Sequence, residues 1–294
     1  STGGVIDTGV VTLAAGGTLI GLAATNLPVP NTSPLVVVNG AGSQLTAGDL
    51  LAMRNGSTLA NFAIGQELLN AILGGTVSIS GNLLTLDNNA FPARNFALFT
   101  VDGDSLTNVG VTIGGTLASL SNGSTLTITD AGLANFVNAN NVGPVSLGSL
   151  ALIQNGSTLT VGSHLANLAN STVNLTGAGP AVTVNQSTLN VITGVTPSNL
   201  INLSNGSTLN APNGLLSLNG GTATISGIVA AIPAGSTLTS TGTLITTFGG
   251  TLNVNTGLPA ISVGTVTAAG SNSILAITNG LLLASIGGAV NLAN

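Results

Sequence analysis

Hydrophobic and polar residues alternate on both sides of a turn motif that recurs along the chain. The motif Asn-Gly-Ser-Thr-Leu occurs in full four times, at residues 55–59, 122–126, 155–159 and 205–209. Apolar residues stand four and two positions before each Asn, and alternation continues after the final Leu in the last three copies. A period of two is typical of a half-buried strand. Each copy therefore predicts a strand, a tight turn and a second strand.

An Asn-Gly pair between alternating runs usually indicates an antiparallel hairpin. A corner is the alternative that we favour, because like residues recur at like positions. Parallel stacking of the copies would place Leu on Leu inside, and Asn on Asn or Thr on Thr outside, where stacked Asn side chains can hydrogen-bond along the stack. The predicted corners of the repeat are Asn55 with Gly56, Asn122 with Gly123, Asn155 with Gly156, and Asn205 with Gly206.

The scarcity of charge favours the same stack. Charged residues make up 3% of the 294 residues and hydrophobic residues 44%, against about 25% charged residues in an ordinary soluble domain. Like charges repeated every ~4.8 Å along parallel strands would repel, whereas amides and hydroxyls attract. We therefore predict an all-β fold, a parallel β-solenoid (β-helix) with irregular rungs, because the copies are unevenly spaced.

The pattern divides the chain into three parts. Residues 1–26 are predicted to form an N-terminal strand segment that serves subunit contact, residues 27–33 a Pro-rich connection, and residues 34–294 the solenoid domain. Apolar positions near residues 60–73 partly follow helical spacing, which predicts a short helical insertion there.

The Leu-x-Leu-x-Asn-Gly-Ser-Thr-Leu pattern resembles the β-helical repeats of secreted bacterial exoproteins of the filamentous-haemagglutinin and autotransporter-passenger type. The resemblance covers roughly residues 34–290. It implies a right-handed parallel β-helix on a cell surface, used for adhesion or as a fibre.

Several classes of protein are excluded by what the chain lacks. It has no Lys and only two Arg, so it cannot form the basic patch that nucleic acid requires. No stretch of about 18 residues is free of Asn, Thr, Ser and Gly, so we expect no membrane span. There is no Cys and His164 is the only His, which leads us to expect no metal site and no cofactor.

Catalysis is a further class to consider, because β-helices include enzymes that degrade polysaccharides. Glycoside cleavage commonly uses two carboxylates ~5–10 Å apart, and the candidates are Asp102 and Asp104, with Asp87 and Asp130 from neighbouring coils. Since Asp-Gly is common in turns, we interpret these residues as polar turns and His164 as an exposed turn residue. We predict no catalytic residue and no enzymatic activity.

The sequence leads us to expect that glycans are attached to this protein and that the protein contacts them. Candidate glycosylation sites outside the full repeat turns are the sequons at Asn31, Asn170 and Asn174, where a glycan would hydrate a charge-poor surface. We also expect the protein to contact a cell surface or a glycan.

Both termini have strand-like residues with little charge, which do not block strand addition. Head-to-tail addition of copies does not close and gives a filament. The residues expected to make this subunit contact are Val5, Ile6, Val10, Val11, Val290 and Leu292.

We therefore expect a secreted or cell-surface structural protein, either a self-assembling filament subunit or an adhesin stalk. An ice-binding solenoid is one alternative, because Thr125–Thr129 and Thr237–Thr239 are short pieces of a Thr-x-Thr face, although Ser, Asn and Ala replace Thr elsewhere. A polysaccharide-degrading enzyme is a less favoured alternative. Stability is expected to vary little between pH 5 and 9, because His164 is the only titratable side chain after residue 130.

Overall fold

The computed structural model is an all-β parallel solenoid. It describes residues 4–7, 10–14, 16–28, 34–40, 42–60, 67–72, 74–91, 93, 95, 97–102, 110–137, 145–192, 198–254, 261–263 and 274–292. All ladders between named strands in these ranges are parallel. The prediction of a solenoid with corners is confirmed, and the hairpin alternative is wrong.

Strands that occupy the same place in successive coils pair with one another, which gives four stacks. Stack 1 consists of β1 (Gly4–Asp7), β5 (Val36–Asn39), β9 (Leu69–Ile72), β12 (Phe99–Asp102), β15 (Ala134–Val137), β18 (Ala166–Ala169), β22 (Ile201–Ser204), β26 (Ala230–Ile232) and β30 (Ile261–Val263). Stack 2 consists of β2 (Val10–Thr12), β6 (Gln44–Ala47), β10 (Thr76–Ile79), the first part of β13 (Gly110–Ser121), the first part of β16 (Val145–Gln154), β19 (Thr172–Leu175), β23 (Thr208–Asn210), β27 (Thr237–Ser240) and β31 (Ile274–Ile277).

The other two stacks complete each coil. Stack 3 consists of β3 (Thr18–Ala23), β7 (Asp49–Arg54), β11 (Leu84–Asp87), the last parts of β13 and β16, β20 (Val182–Asn185), β24 (Leu216–Asn219), β28 (Ile245–Phe248) and β32 (Leu283–Ile286). Stack 4 consists of two separate sheets, the first with β4 (Asn26–Pro28) and β8 (Thr58–Ala60), and the second with β14 (Thr125–Ile128), β17 (Thr158–Val161), β21 (Thr188–Val191), β25 (Thr222–Ile225), β29 (Thr251–Val254) and β33 (Ala289–Leu292). Stacks 2 and 3 belong to one sheet, because β13 and β16 run through both.

Coil length varies while the core stays continuous. The paired residues Ile201 and Ala230 are 29 positions apart, whereas Thr251 and Ala289 are 38 apart. Inward-facing residues such as Leu45, Leu86 and Leu203 are buried in one apolar cluster that extends through the stack. Burial of each such side chain stabilises the fold by about 1.5–3 kcal/mol. The rungs are irregular because the connections between strands differ in length, not because the core is interrupted.

Left-handed corners occur at two places in the coils whose corners the structure describes. Asn55 and Gly56 have φ angles of 54° and 72° and join stack 3 to stack 4, and the motifs at Asn122 and Asn155 do the same. Asn205 also has a positive φ, of 52°, but it joins stack 1 to stack 2. Asn and Gly tolerate this left-handed conformation best. Each coil is therefore two half-coils of the same plan: a strand, a left-handed corner and a second strand.

A serine next to the corner is buried and holds neighbouring coils together. The hydroxyl of Ser124 accepts the backbone N–H of Asn89 (3.1 Å) and donates to the backbone carbonyl of Ser121 (2.5 Å). The backbone N–H of Ser124 donates in turn to the hydroxyl of Ser157 (3.1 Å). These bonds satisfy backbone groups that the left-handed turn removes from the strand ladders.

The helix predicted near residues 60–73 is not found among the described residues. Ala60 ends strand β8 and Leu69–Ile72 is strand β9, while 61–66 and 73 lie outside the described residues. The strands of residues 4–28, where a separate N-terminal segment was predicted, pair with β5 to β8. They form the first coil of the same stack, and their proposed role in subunit contact stays a prediction.

Candidate functional site

The last described coil leaves core-facing leucines uncovered. Leu282, Leu283 and Leu292 are 50%, 40% and 54% exposed. The residues in register with them one coil earlier, Leu244, Ile245 and Val254, are 0%, 2% and 1% exposed. The difference arises because no described coil covers these positions. Among the described residues, strands β30 to β33 also pair on one side only, so no described residue covers the apolar interior or the outer strand edges of this coil.

The residues predicted to make subunit contacts lie at the two ends of the described stack. Val5 and Ile6 are in β1, which pairs with β5 alone. Val10 is 62% exposed, whereas Val11 and Val290 are partly buried and pack on the core. The structure brings these residues to open coils, and their contact with a second copy stays a prediction.

A polar groove of about 490 Å³ runs along the outward side of stack 1. Its floor is a column of asparagines in which the Nδ2 of Asn167 donates to the Oδ1 of Asn135 and the Nδ2 of Asn202 to the Oδ1 of Asn167, both at 2.9 Å. The expected bonding of stacked amides is found here. It also occurs at the corners, where the Nδ2 of Asn155 donates to the Oδ1 of Asn122 over 3.4 Å.

Glu67 and His164 both line this groove. The carboxylate of Glu67 accepts hydrogen bonds from Asn70 (2.7 Å) and Thr100 (2.6 Å). The Nδ1 of His164 accepts the backbone N–H of Asn199 (2.9 Å), and burial lowers the pKa of this imidazole. His164 was predicted to be exposed but is partly buried, because its ring completes the hydrogen bonds of the next coil.

The two groups are too far apart to act together. Glu67 precedes β9 and His164 precedes β18, which is three strands farther along stack 1. With strands ~4.8 Å apart, the separation is roughly 14 Å. Neighbouring carboxylates in glycosidases lie ~5–10 Å apart, so this groove does not juxtapose an acid and a base.

The other carboxylates that the sequence singled out are dispersed. Asp87 accepts hydrogen bonds from Ser121 (3.2 Å) and Asn122 (2.6 Å). Asp102 is exposed at the end of β12 and Asp130 is exposed after β14, while Asp104 lies outside the described residues. Within the described part of the chain no cluster of three or more His, Cys, Asp or Glu residues could hold a metal ion.

The candidate glycosylation sites differ in their surroundings. Asn170 has a positive φ of 49° at a corner between stacks 1 and 2. Asn174 is partly buried on stack 2, and its Oδ1 accepts the Nδ2 of Asn210 (2.6 Å). Asn31 lies outside the described residues. Glycosylation stays a prediction at all three sites.

Rows of threonines on stack 4 were not recognised from the sequence. In each of five successive coils the first residue of the stack 4 strand is Thr. These residues pair in register: Thr125, Thr158, Thr188, Thr222 and Thr251. The signal was present in the sequence, because the Ser-Thr pairs at 124–125, 157–158 and 187–188 and the Gly-Gly-Thr segments at 220–222 and 249–251 all end at this position. The Thr237–Thr239 piece lies instead on stack 2.

The described residues contain no helix that is long and apolar enough to cross a membrane. No protein-family model matches the chain, and the comparisons with curated proteins and with solved structures find no match.

Proposed function

We propose that this protein is a non-catalytic, extracellular structural protein, either a filament subunit or an adhesin stalk. The observation that carries the proposal is the stack of parallel coils around one continuous apolar core. A further coil can add to such a stack at Leu282, Leu283 and Leu292, which occupy core positions of the last described coil.

The stacking of the coils supports a structural role. Neighbouring coils contact one another through parallel ladders in up to four stacks, so the stability of the solenoid is the sum of local terms and of interfaces between neighbours, as in other solenoids. Adding one more coil at the open end would bury the three leucines, each worth about 1.5–3 kcal/mol. It would also pair the free edges of β30 to β33. A first coil from a second copy has the matching parallel strands β1 to β4.

The chemistry of the surface supports a role without catalysis. The titratable groups of the polar groove bond to other groups of the protein: Glu67 accepts hydrogen bonds from Asn70 of its own coil and from Thr100 of the next coil, and His164 accepts one from the backbone of Asn199 in the next coil. The extracellular location rests on the resemblance of the repeats to secreted exoproteins. Asparagine and threonine columns on the outside keep such a charge-poor rod hydrated.

The test compares two lysine substitutions in the last coil. Leu283→Lys places a charge on the open interior, whereas the matched control Ile286→Lys changes a residue on the lateral face that is 63% exposed. We expect the wild type to form end-to-end rods in a concentration-dependent way, as seen by negative-stain microscopy and sedimentation velocity. Leu283→Lys should abolish them and Ile286→Lys should not. A wild-type protein that stays monomeric at millimolar concentration would contradict the filament proposal.

A further inference from the structure

The outward side of stack 4 has two parallel rows of short uncharged side chains. The first row is the five threonines from Thr125 to Thr251, with one from each of five successive coils. The second row, two residues farther along each strand, is Thr127, Thr160, Asn190, Thr224 and Asn253. Pairing from β14 to β29 has no register shift, in contrast to β13 and β16 on stacks 2 and 3. We refer to these two rows as the threonine face.

The hydroxyls of the first row are available to a ligand. Within the described residues, none of the five first-row hydroxyls has a hydrogen-bond partner in the protein. The serines next to them in sequence behave in the opposite way: Ser124 and Ser157 are fully buried and bonded to backbone groups. The corner thus separates a serine that serves the fold from a threonine that faces the solvent.

The threonine face keeps its hydroxyls in a regular array. Neighbouring strands are ~4.8 Å apart and alternate residues of one strand ~6.6 Å apart, so the side chains form a grid with these two repeats. Threonine is β-branched and stiff at χ1, which holds both its hydroxyl and its methyl group in place. Side-chain ladders such as Asn190 Nδ2 to Thr160 Oγ1 (3.3 Å) help a stacked sheet to stay flat.

We propose that the threonine face binds the crystalline surface of ice. A single hydroxyl exchanges one water partner for another with a net gain of only about 1 kcal/mol, so a small molecule in solution would gain little from this face. A solid whose own donors and acceptors repeat can engage many hydroxyls at once, and the combined affinity then greatly exceeds that of each contact. Ionic surfaces do not fit, because neither row carries a charge. The rows also lack the aromatic rings that stack on sugars, which favours ice over a crystalline polysaccharide.

The test measures thermal hysteresis and ice recrystallisation inhibition with the full chain. Thr188→Lys places a long charged side chain in the middle of the first row. The matched control is Thr183→Lys, which changes a partly buried threonine on neighbouring stack 3. We expect the wild type and Thr183→Lys to be active and Thr188→Lys to lose activity, with the same melting temperature for both variants. A wild type without hysteresis, or equal losses in the two variants, would overturn the proposal.

A second variant tests the hydroxyls without changing the shape of the side chains. The triple variant Thr158→Val, Thr188→Val and Thr222→Val keeps each β-branched side chain, and we expect it to lose most of the hysteresis. Unchanged hysteresis would refute a role for these hydroxyls. Sedimentation with microcrystalline cellulose forms the other arm. Binding to cellulose that Thr188→Lys abolishes, without any effect on ice, would overturn the ice proposal and assign the face to a polysaccharide.

Discussion

Removal of one buried corner hydroxyl tests how neighbouring coils are held together. Ser124 is 0% exposed, and its hydroxyl is the acceptor for the backbone N–H of Asn89 on the preceding coil. Ser124→Ala leaves that N–H buried without a partner, because Asn89 is itself only 6% exposed. The carbonyl of Ser121 keeps the backbone N–H of residue 124 as a donor (3.3 Å), so only one group is orphaned. An unsatisfied buried donor costs about 1–3 kcal/mol, and we expect a loss of about 2 kcal/mol.

The assay is urea unfolding followed by circular dichroism, with Ser119→Ala as the matched control. Ser119 lies on β13, the strand that precedes the corner of Ser124; it is partly buried and has no side-chain hydrogen bond among the described residues, so its variant should change stability by less than about 0.5 kcal/mol. Because coils contact only their neighbours, hydrogen exchange should also show faster opening at residue 89 than in distant coils. A Ser124→Ala variant as stable as Ser119→Ala would refute the account of the corner.

Three further predictions concern a crowded glycine, the pKa of His164 and the asparagine column of the groove. An added Cβ at Gly132 would lie 1.9 Å from the carbonyl oxygen of His164. Gly132→Ala should therefore fail to fold or lose more stability than Ser124→Ala in urea unfolding. Gly179→Ala should be neutral, because no atom lies within 4 Å of the added Cβ. Burial lowers the pKa of His164 from 6.5, so the unfolded chain binds more protons and the free energy of unfolding should fall as the pH falls below 6.5. Melting temperatures from pH 7.5 to 5 should show this fall in the wild type, which replaces the nearly constant stability expected from the sequence, because His164 is partly buried. A fall of equal size in His164→Asn would contradict the assignment. Asn167→Ala removes the two hydrogen bonds that join this side-chain amide to Asn135 and Asn202. It should lower the free energy of unfolding by about 1–2 kcal/mol, and a neutral effect would show that the asparagine column adds no stability.

The strands and corners could be predicted from sequence because they depend on local patterns. Alternation decides which side chains face inward, and Asn-Gly pairs are among the few that adopt two successive left-handed residues. The same alternation misled at residues 69–72, which belong to the segment predicted as helical but form strand β9. Each half-coil begins with two consecutive buried residues, such as Leu68 and Leu69, followed by a buried residue two positions later. Across a corner this spacing imitates the apolar stripe of a helix.

The threonine face could not be predicted in the same way, because coil length varies from 28 to 38 residues. A fixed repeat would have placed Thr188 and Thr222 in one row at once. With variable connections, two threonines share a row only if they follow the same corner, and the two corners of a coil have the same motif. The partial burial of His164 was missed for a related reason: its partner, Asn199, is 35 residues away.

The likeness of the two half-coils has a consequence for how the chain folds. A nascent chain that paired a stack 1 strand with a stack 3 strand would still bury its leucines and align its left-handed corners, so such a misthreaded intermediate would be close in energy to the native pairing. Parallel pairing over about 30 residues is already slow to find. Strands β13 and β16 remove the ambiguity, because each runs through stacks 2 and 3 without a corner. They determine which strand of a coil belongs to which stack. In a chain without them, each strand would have two alternative pairings of similar energy at every coil.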